Sequence, residues 1–249
     1  VSEARLDGFS FRIVSAAPAF TGLQPTPGSR LTDRQPAFVA VPNDPAGLVH
    51  ARARVFLDGA AAQGTFDATG YRFTPAFPLP DGKHTVVFQA QNTAGLTGQA
   101  SIEVEIVSAL GMFGPAGGTL EITDPADPAF GARLVVPPGA LSSATEVGLC
   151  RVTLPLPPAR GWVQLGPWID IVPAGLEFVV PATLTLPFAP AGATAVGVSP
   201  ATTSLLVFDG PSHMFVPAPT AAVDAALGRV SGPVTSVPGS VYGPYVNVP

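Results

Sequence analysis

The sequence predicts an all-β protein, two antiparallel β-sandwiches in tandem, and three observations lead there. Gly (27) and Pro (30) together approach a quarter of the 249 residues, and they fall between short runs of Val, Leu and Phe. Many short strands joined by many turns account for that pattern. No stretch keeps an apolar period of 3.6 over about ten residues, so long amphipathic helices are not expected. Several runs instead alternate apolar with polar side chains and end on turn dipeptides, as half-buried strands do.

In chain order, Phe9, Phe11 and Ile13 alternate with Ser10, Arg12 and Val14 and form the first expected strand. Ala53, Val55 and Leu57 alternate with Arg52, Arg54 and Phe56 before the turn Asp58-Gly59. A short strand follows at 70–75, and Asp81-Gly82 then turns into a strand over 83–91, with Val86, Phe88 and Ala90 on one face. After the loop 92–95, Ile102, Val104 and Ile106 alternate with Ser101, Glu103 and Glu105, apolar on one face and largely acidic on the other.

The second half carries its own punctuation. Pro137-Pro138-Gly139 makes a strand-ending corner, because proline withholds a ladder donor and glycine supports positive φ. Leu176, Phe178 and Val180 alternate with Glu177 and Val179 up to Pro181, and Leu184 and Leu186 continue the apolar face to Pro187. The best helix candidate, 220–227 (TAAVDAAL), is bounded by Pro219 and Gly228 and reads as one helical turn or a hairpin.

Composition excludes several functions. Charged residues make up 12%, against roughly 25% in ordinary domains. No window approaches the roughly 18 consecutive apolar residues that a membrane-spanning helix needs. Net charge is −5 and Lys83 is the only lysine, so no basic stripe exists for nucleic acid. Cys150 is the only cysteine, which rules out an intrachain disulfide; a buried, inert thiol is expected. Val1 at the start, with so little lysine and cysteine, fits an exported product or a trimmed chain.

Two resemblances follow from particular stretches. VFLDG at 55–59, YRFTPAFPLPDGKHTVVFQAQNTAG at 71–95 and the closing SIEVEIV resemble the bacterial immunoglobulin-like modules of surface proteins, over about 21–107. In that pattern DGKHTV starts a central strand and QNTAG fills a loop that usually carries an acidic residue. Gln91 and Asn92 stand there instead, which argues against a calcium site on the loop. GPAGGTLEI, ARLVVPPGAL and LGPWIDIVPAGLEFVVPATLTLP resemble the β-sandwich shared by ankyrins and netrin receptors, the ZU-five type, over roughly 117–188 and more loosely to Tyr245. The expected organisation is an immunoglobulin-like sandwich with an extra N-terminal strand over 1–107, an apolar connector at 108–113, and a ZU-five-like sandwich over 114–249. Leu110, Met112 and Phe113 make the connector too apolar for a free linker; it is expected to fill a seam between closely packed sandwiches.

The second resemblance implies one chemistry to test. Some members cleave themselves between Phe and Ser of a His-Phe-Ser triplet, which needs a base beside the hydroxyl. Here Pro238 and Gly239 occupy the first two places before Ser240, so an intact chain is expected. His50, His84 and His213 are isolated, and no metal spacing, GxSxG elbow or phosphate-binding loop is present. Asp124 and Asp127 read as solvated turn-formers, Glu103 and Glu105 as a solvent-facing pair, and Asp170 and Glu177 as acids on neighbouring strands without a catalytic role. No catalytic residue, cofactor or metal site is expected.

The expected role is therefore structural or adhesive: a non-enzymatic, exported component of an extracellular or cell-surface assembly. Its partners would be copies of itself or another surface protein. The strand Phe9, Phe11, Ile13 either extends the first module's own sheet or adds to an edge in a neighbouring subunit and builds a filament. The alternative is a glycan-binding module that stacks sugar rings on Trp162, Tyr242 and Tyr245. Trp168, beside Ile169 and Ile171, reads as core.

Overall fold

A computed structural model describes residues 2–6, 9–152, 161–209, 214–218, 222–237 and 241–248; at 2–6, 9–13, 209, 214 and 215 the description is of the backbone. The chain is all-β and divides into two compact units, Val1–Ile106 and Val107–Pro249. Among the described residues the longest helix spans six residues, Pro190–Ala195, and none is long and apolar enough to cross a membrane.

The first unit is two facing sheets. One runs in the order Ala19–Gln24, Phe38–Asn43, Gly70–Phe73, Thr65–Asp67. The other runs Ser29–Leu31, Thr97–Ile106, Gly82–Gln91, Arg54–Leu57, Ala60–Ala62, with Ser29–Leu31 parallel to Thr97–Ile106. Strand alternation buries Val86, Phe88 and Ala90 on the same face as Ile102, Val104 and Ile106, with Val86 across from Ile102, and Phe38, Tyr71 and Phe73 close the core from the other sheet. Each such side chain contributes roughly 1.5–3 kcal/mol through removal from water. On the outer face Glu103 is exposed, while Glu105 is half-buried and accepts from Arg30 Nε at 2.8 Å.

Phe9–Ile13 is a strand, but its partner was not foreseen. It pairs antiparallel with Ser2–Leu6, in the register Leu6↔Phe9, Ala4↔Phe11, Ser2↔Ile13. The hairpin forms a two-stranded sheet of its own and extends neither sheet of the first unit. That corrects the expectation of a strand added to the module's own sheet: a second N-terminal strand takes up its pairing.

The second unit is also two sheets. The larger runs Ala109–Phe113, Thr145–Val152, Trp168–Val172, Val241–Asn247, Ser204–Asp209, Met214–Pro217, with Trp162–Gln164 joined to Val241–Asn247. The smaller runs Gly118–Glu121, Arg133–Val136, Leu176–Pro187, Arg229–Val237, Ala222–Asp224. Their facing sides bury Leu120, Leu134, Leu149, Ile169, Ile171, Leu184, Leu186 and Val230 among others. Cys150 is buried beside Val107 and Val172, as expected of an inert thiol.

Three expectations need correction here. The connector is an edge strand: Ala109–Phe113 pairs with Thr145–Val152, so its apolar residues serve this unit's own sheet. Pro181 does not end a strand, because Leu176–Pro187 runs through it with a register shift between Glu177 and Ala182. The irregularity lets a residue without an N–H sit there. It also turns Val180 outward together with Val179, which is 82% exposed. Asp170 and Glu177 lie in different sheets rather than on neighbouring strands. Of the two readings of 220–227, one helical turn or a hairpin, the structure has the hairpin, Ala222–Asp224 turning into Arg229–Val237.

Candidate interaction surfaces

The N-terminal hairpin grows from a fixed root. Asn92, 1% exposed, sits in the loop after Gly82–Gln91. Its Nδ2 donates to Ala16 O and to Asp44 Oδ2, both at 3.0 Å, while its Oδ1 accepts from Ala94 N at 3.1 Å and Leu96 N at 2.9 Å. All four hydrogen bonds of the amide are thus used. An aspartate here would set its oxygens against Ala16 O and Asp44 Oδ2, which explains why this position carries an amide. Two residues past Ala16 the chain presses on Gly98: a Cβ there would stand 1.9 Å from Pro18 O. Only glycine allows that approach.

A second feature of the first unit is the loop 74–81, TPAFPLPD. At its tip Phe77 is 81% exposed. The loop is nonetheless tightly mounted. Gln35 Nε2 donates to Pro75 O at 3.0 Å, Leu79 N donates to Arg34 O at 2.8 Å, and Arg34 Nη1 donates back to Leu79 O at 3.2 Å. Arg34 Nη2 also meets Asp81 at 2.5 Å. His84 Nε2 lies 2.9 Å from Pro80 O and its Nδ1 2.7 Å from Asp58 Oδ2. Leu79 is buried beneath. His84, near the start of its strand, is therefore a structural histidine with both ring nitrogens engaged.

In the second unit a cavity of about 490 Å³ opens beside Trp168. Pro128, Val152 and Pro167 line it with the indole, beside Arg151 and Gln164, whose Nε2 donates to Gly166 O at 2.6 Å. The indole is fixed from behind, where its Nε1–H donates to Tyr245 Oη at 2.5 Å. Asp127 underlies the rim: it accepts from Ser108 Oγ at 2.7 Å and Ala129 N at 2.8 Å, and stands 3.8 Å from Arg151 Nε. Its side chain is only 5% exposed, so Asp127 is a buried strut rather than a solvated turn-former. Asp124 remains on the exposed turn, accepting from Ala126 N.

The three aromatic residues considered for sugar stacking do not form a platform. Tyr242 and Tyr245 are three apart on one strand and so face opposite sides of the sheet. Tyr242, 5% exposed, belongs to the inter-sheet core, and Tyr245, 1% exposed, packs with Leu206 against half-buried Trp162 and Trp168. Burial pushes both phenols up to about 12, Tyr242 with added help from the Asp170 charge and Tyr245 against the opposing pull of the Trp168 hydrogen bond. Neither ring has a face to offer a sugar.

Among the described residues no three His, Cys, Asp or Glu side chains cluster as metal ligands. Ser240, with Pro238 and Gly239, lies outside the described residues, as does His213. Sequence reasoning missed the mount of Phe77, the cavity at Trp168 and the use of Asn92. The proline triplet around Phe77 was the one signal available for them.

The sequence pattern of the ZU5 domain matches residues 109–195, about a third of the chain. The match stops short of the folded unit, since Val241–Asn247 and Arg229–Val237 are interior strands of the two sheets. No curated protein matches the chain. Among solved structures, the crystal structure of dimeric latent PorU from Porphyromonas gingivalis is similar with a TM-score of 0.32 and 13% identity, over 94% of this chain and 18% of that one. This chain thus spans less than a fifth of that chain's length. ZU5 domains are non-enzymatic modules of protein–protein interaction, and residues 109–195 carry their pattern on a β-sandwich.

Proposed function

We propose that this chain is a non-catalytic scaffold of an extracellular or cell-surface assembly, and that it joins copies of itself into a filament by strand addition. The N-terminal hairpin carries the reading. Its two strands pair with each other, and their register sets Ser2, Ala4, Leu6, Phe9, Phe11 and Ile13 at positions of one face and Glu3, Arg5, Ser10 and Arg12 at those of the other. A lone two-stranded hairpin is marginal in water and gains stability from a further strand or an apolar surface. Main-chain pairing with an edge strand of a second copy supplies both. The root at Asn92 and Gly98 holds the arm at one place on the module.

The strand order supports an immunoglobulin-like first unit. Its four-stranded sheet corresponds to strands A, B, E and D of that fold, and its five-stranded sheet to G, F and C with an added edge strand on either side. An interaction-type sandwich follows it in the second unit. With charged residues at 12% of the chain, few ions need desolvating when copies pack side by side.

Sedimentation velocity and negative-stain microscopy of the whole chain, beside a version lacking residues 1–13, test this. The whole chain should associate as concentration rises and form linear polymers, and the shortened chain should stay monomeric. A whole chain that remains monomeric, or a shortened chain that polymerises equally well, would sink the reading. Export is checked separately by protease accessibility of the protein on intact cells.

A further inference from the structure

Three aspartates of the chain precede a proline, and each triplet has the same sequence: Asp44-Pro45-Ala46, Asp124-Pro125-Ala126 and Asp127-Pro128-Ala129. All three fold alike. Each carboxylate Oδ1 accepts from the alanine N–H, at 2.7 Å for Ala46, 2.9 Å for Ala126 and 2.8 Å for Ala129. Each aspartate carbonyl accepts from the residue three further on, Gly47, Asp127 or Phe130. The bond after these aspartates is a tertiary amide whose nitrogen carries no hydrogen. A carboxylate two bonds from the carbonyl carbon can close a five-membered ring on it, an intramolecular attack with a high effective concentration.

The three differ in what holds the second carboxylate oxygen. Asp44 Oδ2 accepts from Asn92 Nδ2 at 3.0 Å. Asp127 Oδ2 accepts from Ser108 Oγ at 2.7 Å, on a side chain only 5% exposed. Asp124 lies on an exposed turn, and among the described residues its side chain has the Ala126 contact alone. The charged groups bounding its loop are Asp127 with Arg151, Glu121 across from Arg133 at the base, and Arg229, whose guanidinium lies by Gly131. Asp124 is therefore the one of the three whose carboxylate is free to turn onto its own carbonyl.

We propose that Asp124–Pro125 is an acid-triggered self-cleavage site, and that the fold spares the bonds after Asp44 and Asp127. Acid protonates the Pro125 nitrogen. An Asp124 carboxylate oxygen attacks the Asp124 carbonyl carbon, the C–N bond breaks, and Pro125 leaves as a secondary amine. One water then opens the cyclic anhydride on Asp124 to two carboxyl groups, so the net reaction is hydrolysis. At Asp44 and Asp127 the same rotation has to break a second hydrogen bond, which slows it at least about tenfold. The cut falls between Gly118–Glu121 and Arg133–Val136, whose pairing stays in place, and Ile122 N and Gly131 N still tie the base of the loop to Ala132 O and Ile122 O. The nicked chain stays folded. The reaction lies within one loop of the second unit and is independent of the self-association proposed above.

The test holds the whole chain in the most acidic buffer in which its circular dichroism stays native, and follows intact masses over time. Fragments 1–124 and 125–249 should appear at least about tenfold faster than products of cleavage after Asp44 or Asp127. They should run together on a sizing column until denaturant separates them. In the same acid with denaturant, the three bonds should break at comparable rates. Asp124→Asn should remove the first cut from the native chain. Equal rates at all three bonds in the native chain, a first cut after Asp44 or Asp127, or unchanged cleavage in Asp124→Asn would overturn the assignment. So would a native chain that stays whole over the time in which the denatured chain is fully cut.

Discussion

The indole N–H of Trp168 donates to the hydroxyl of Tyr245 at 2.5 Å, tying two strands of the larger sheet together on its outer face. Gly243 makes room for the arrangement, since a Cβ there would meet Trp168 Cδ1 at 2.5 Å. Tyr245→Phe removes the acceptor and leaves a half-buried donor without it. The expected cost is about 1–2 kcal/mol, read as a lower midpoint in urea. Both tryptophans of the chain, Trp162 and Trp168, lie in this unit, so their fluorescence follows its unfolding alone.

The tyrosines predict an alkaline limit. Tyr242 and Tyr245 are held up to about 12 and Tyr71 is also raised, in each case chiefly by burial. These are all three tyrosines of the chain. A phenol whose folded pKa lies above its unfolded value of about 10 keeps its proton longer when folded. Between the two values the native state binds more protons, so unfolding free energy falls as pH rises. The stabilisation is complete below pH 10 and is lost between about 10 and 12, on the order of 2 kcal/mol for each of Tyr242 and Tyr245. Absorbance at the tyrosinate band should stay low in the native protein at pH 10.5 and be more than half developed in denaturant at the same pH. Normal titration of all three in the native protein would contradict the burial.

The alternation in Gly82–Gln91 and Thr97–Ile106 was legible because a sandwich strand with one wet face must repeat every two residues. Ala109–Phe113 was not, since its pairing partner lies at Thr145–Val152 and nothing local marks an apolar edge strand from a linker. Pro181 misled for a related reason: a bulge, invisible in sequence, carries the strand past a residue that cannot donate. The interaction surfaces were less legible still. Trp168 and Arg151 come together only because strands adjacent in the sheet pair Arg151 with Ile169, and Phe77 gains its meaning from clamps at Arg34, Gln35 and His84.

Asn92 should behave as a keystone of the first unit. Replacing it with alanine takes away the side-chain partner of Asp44 Oδ2, Ala16 O and the N–H groups of Ala94 and Leu96 and empties a buried position. A loss of about 2–4 kcal/mol is expected. Asn92→Asp should cost at least as much at neutral pH, because a carboxylate would face Asp44 and Ala16 O where donors now stand. Circular dichroism melts should show the change, while the tryptophan-reported transition of the second unit keeps its midpoint.

Gly98 tests whether the arm is rooted where the structure puts it. A methyl group at this position would collide with the backbone of Pro18, and a carbonyl oxygen at 1.9 Å cannot be accommodated by a side-chain rotation. Either the strand Thr97–Ile106 shifts or the segment 14–18 lifts away. The strand is held along its length by Gly82–Gln91 and carries Ile102, Val104 and Ile106 into the core, so moving it disturbs far more packing than releasing the segment. Gly98→Ala should therefore free the segment, and with it the hydrogen bond from Asn92 to Ala16 O. Limited proteolysis should then cut within residues 14–18 several times faster than in the wild type, with a modest stability loss of about 1–2 kcal/mol. Unchanged cleavage in that segment, with a collapse of the whole first unit instead, would mean that the strand yields before the arm does.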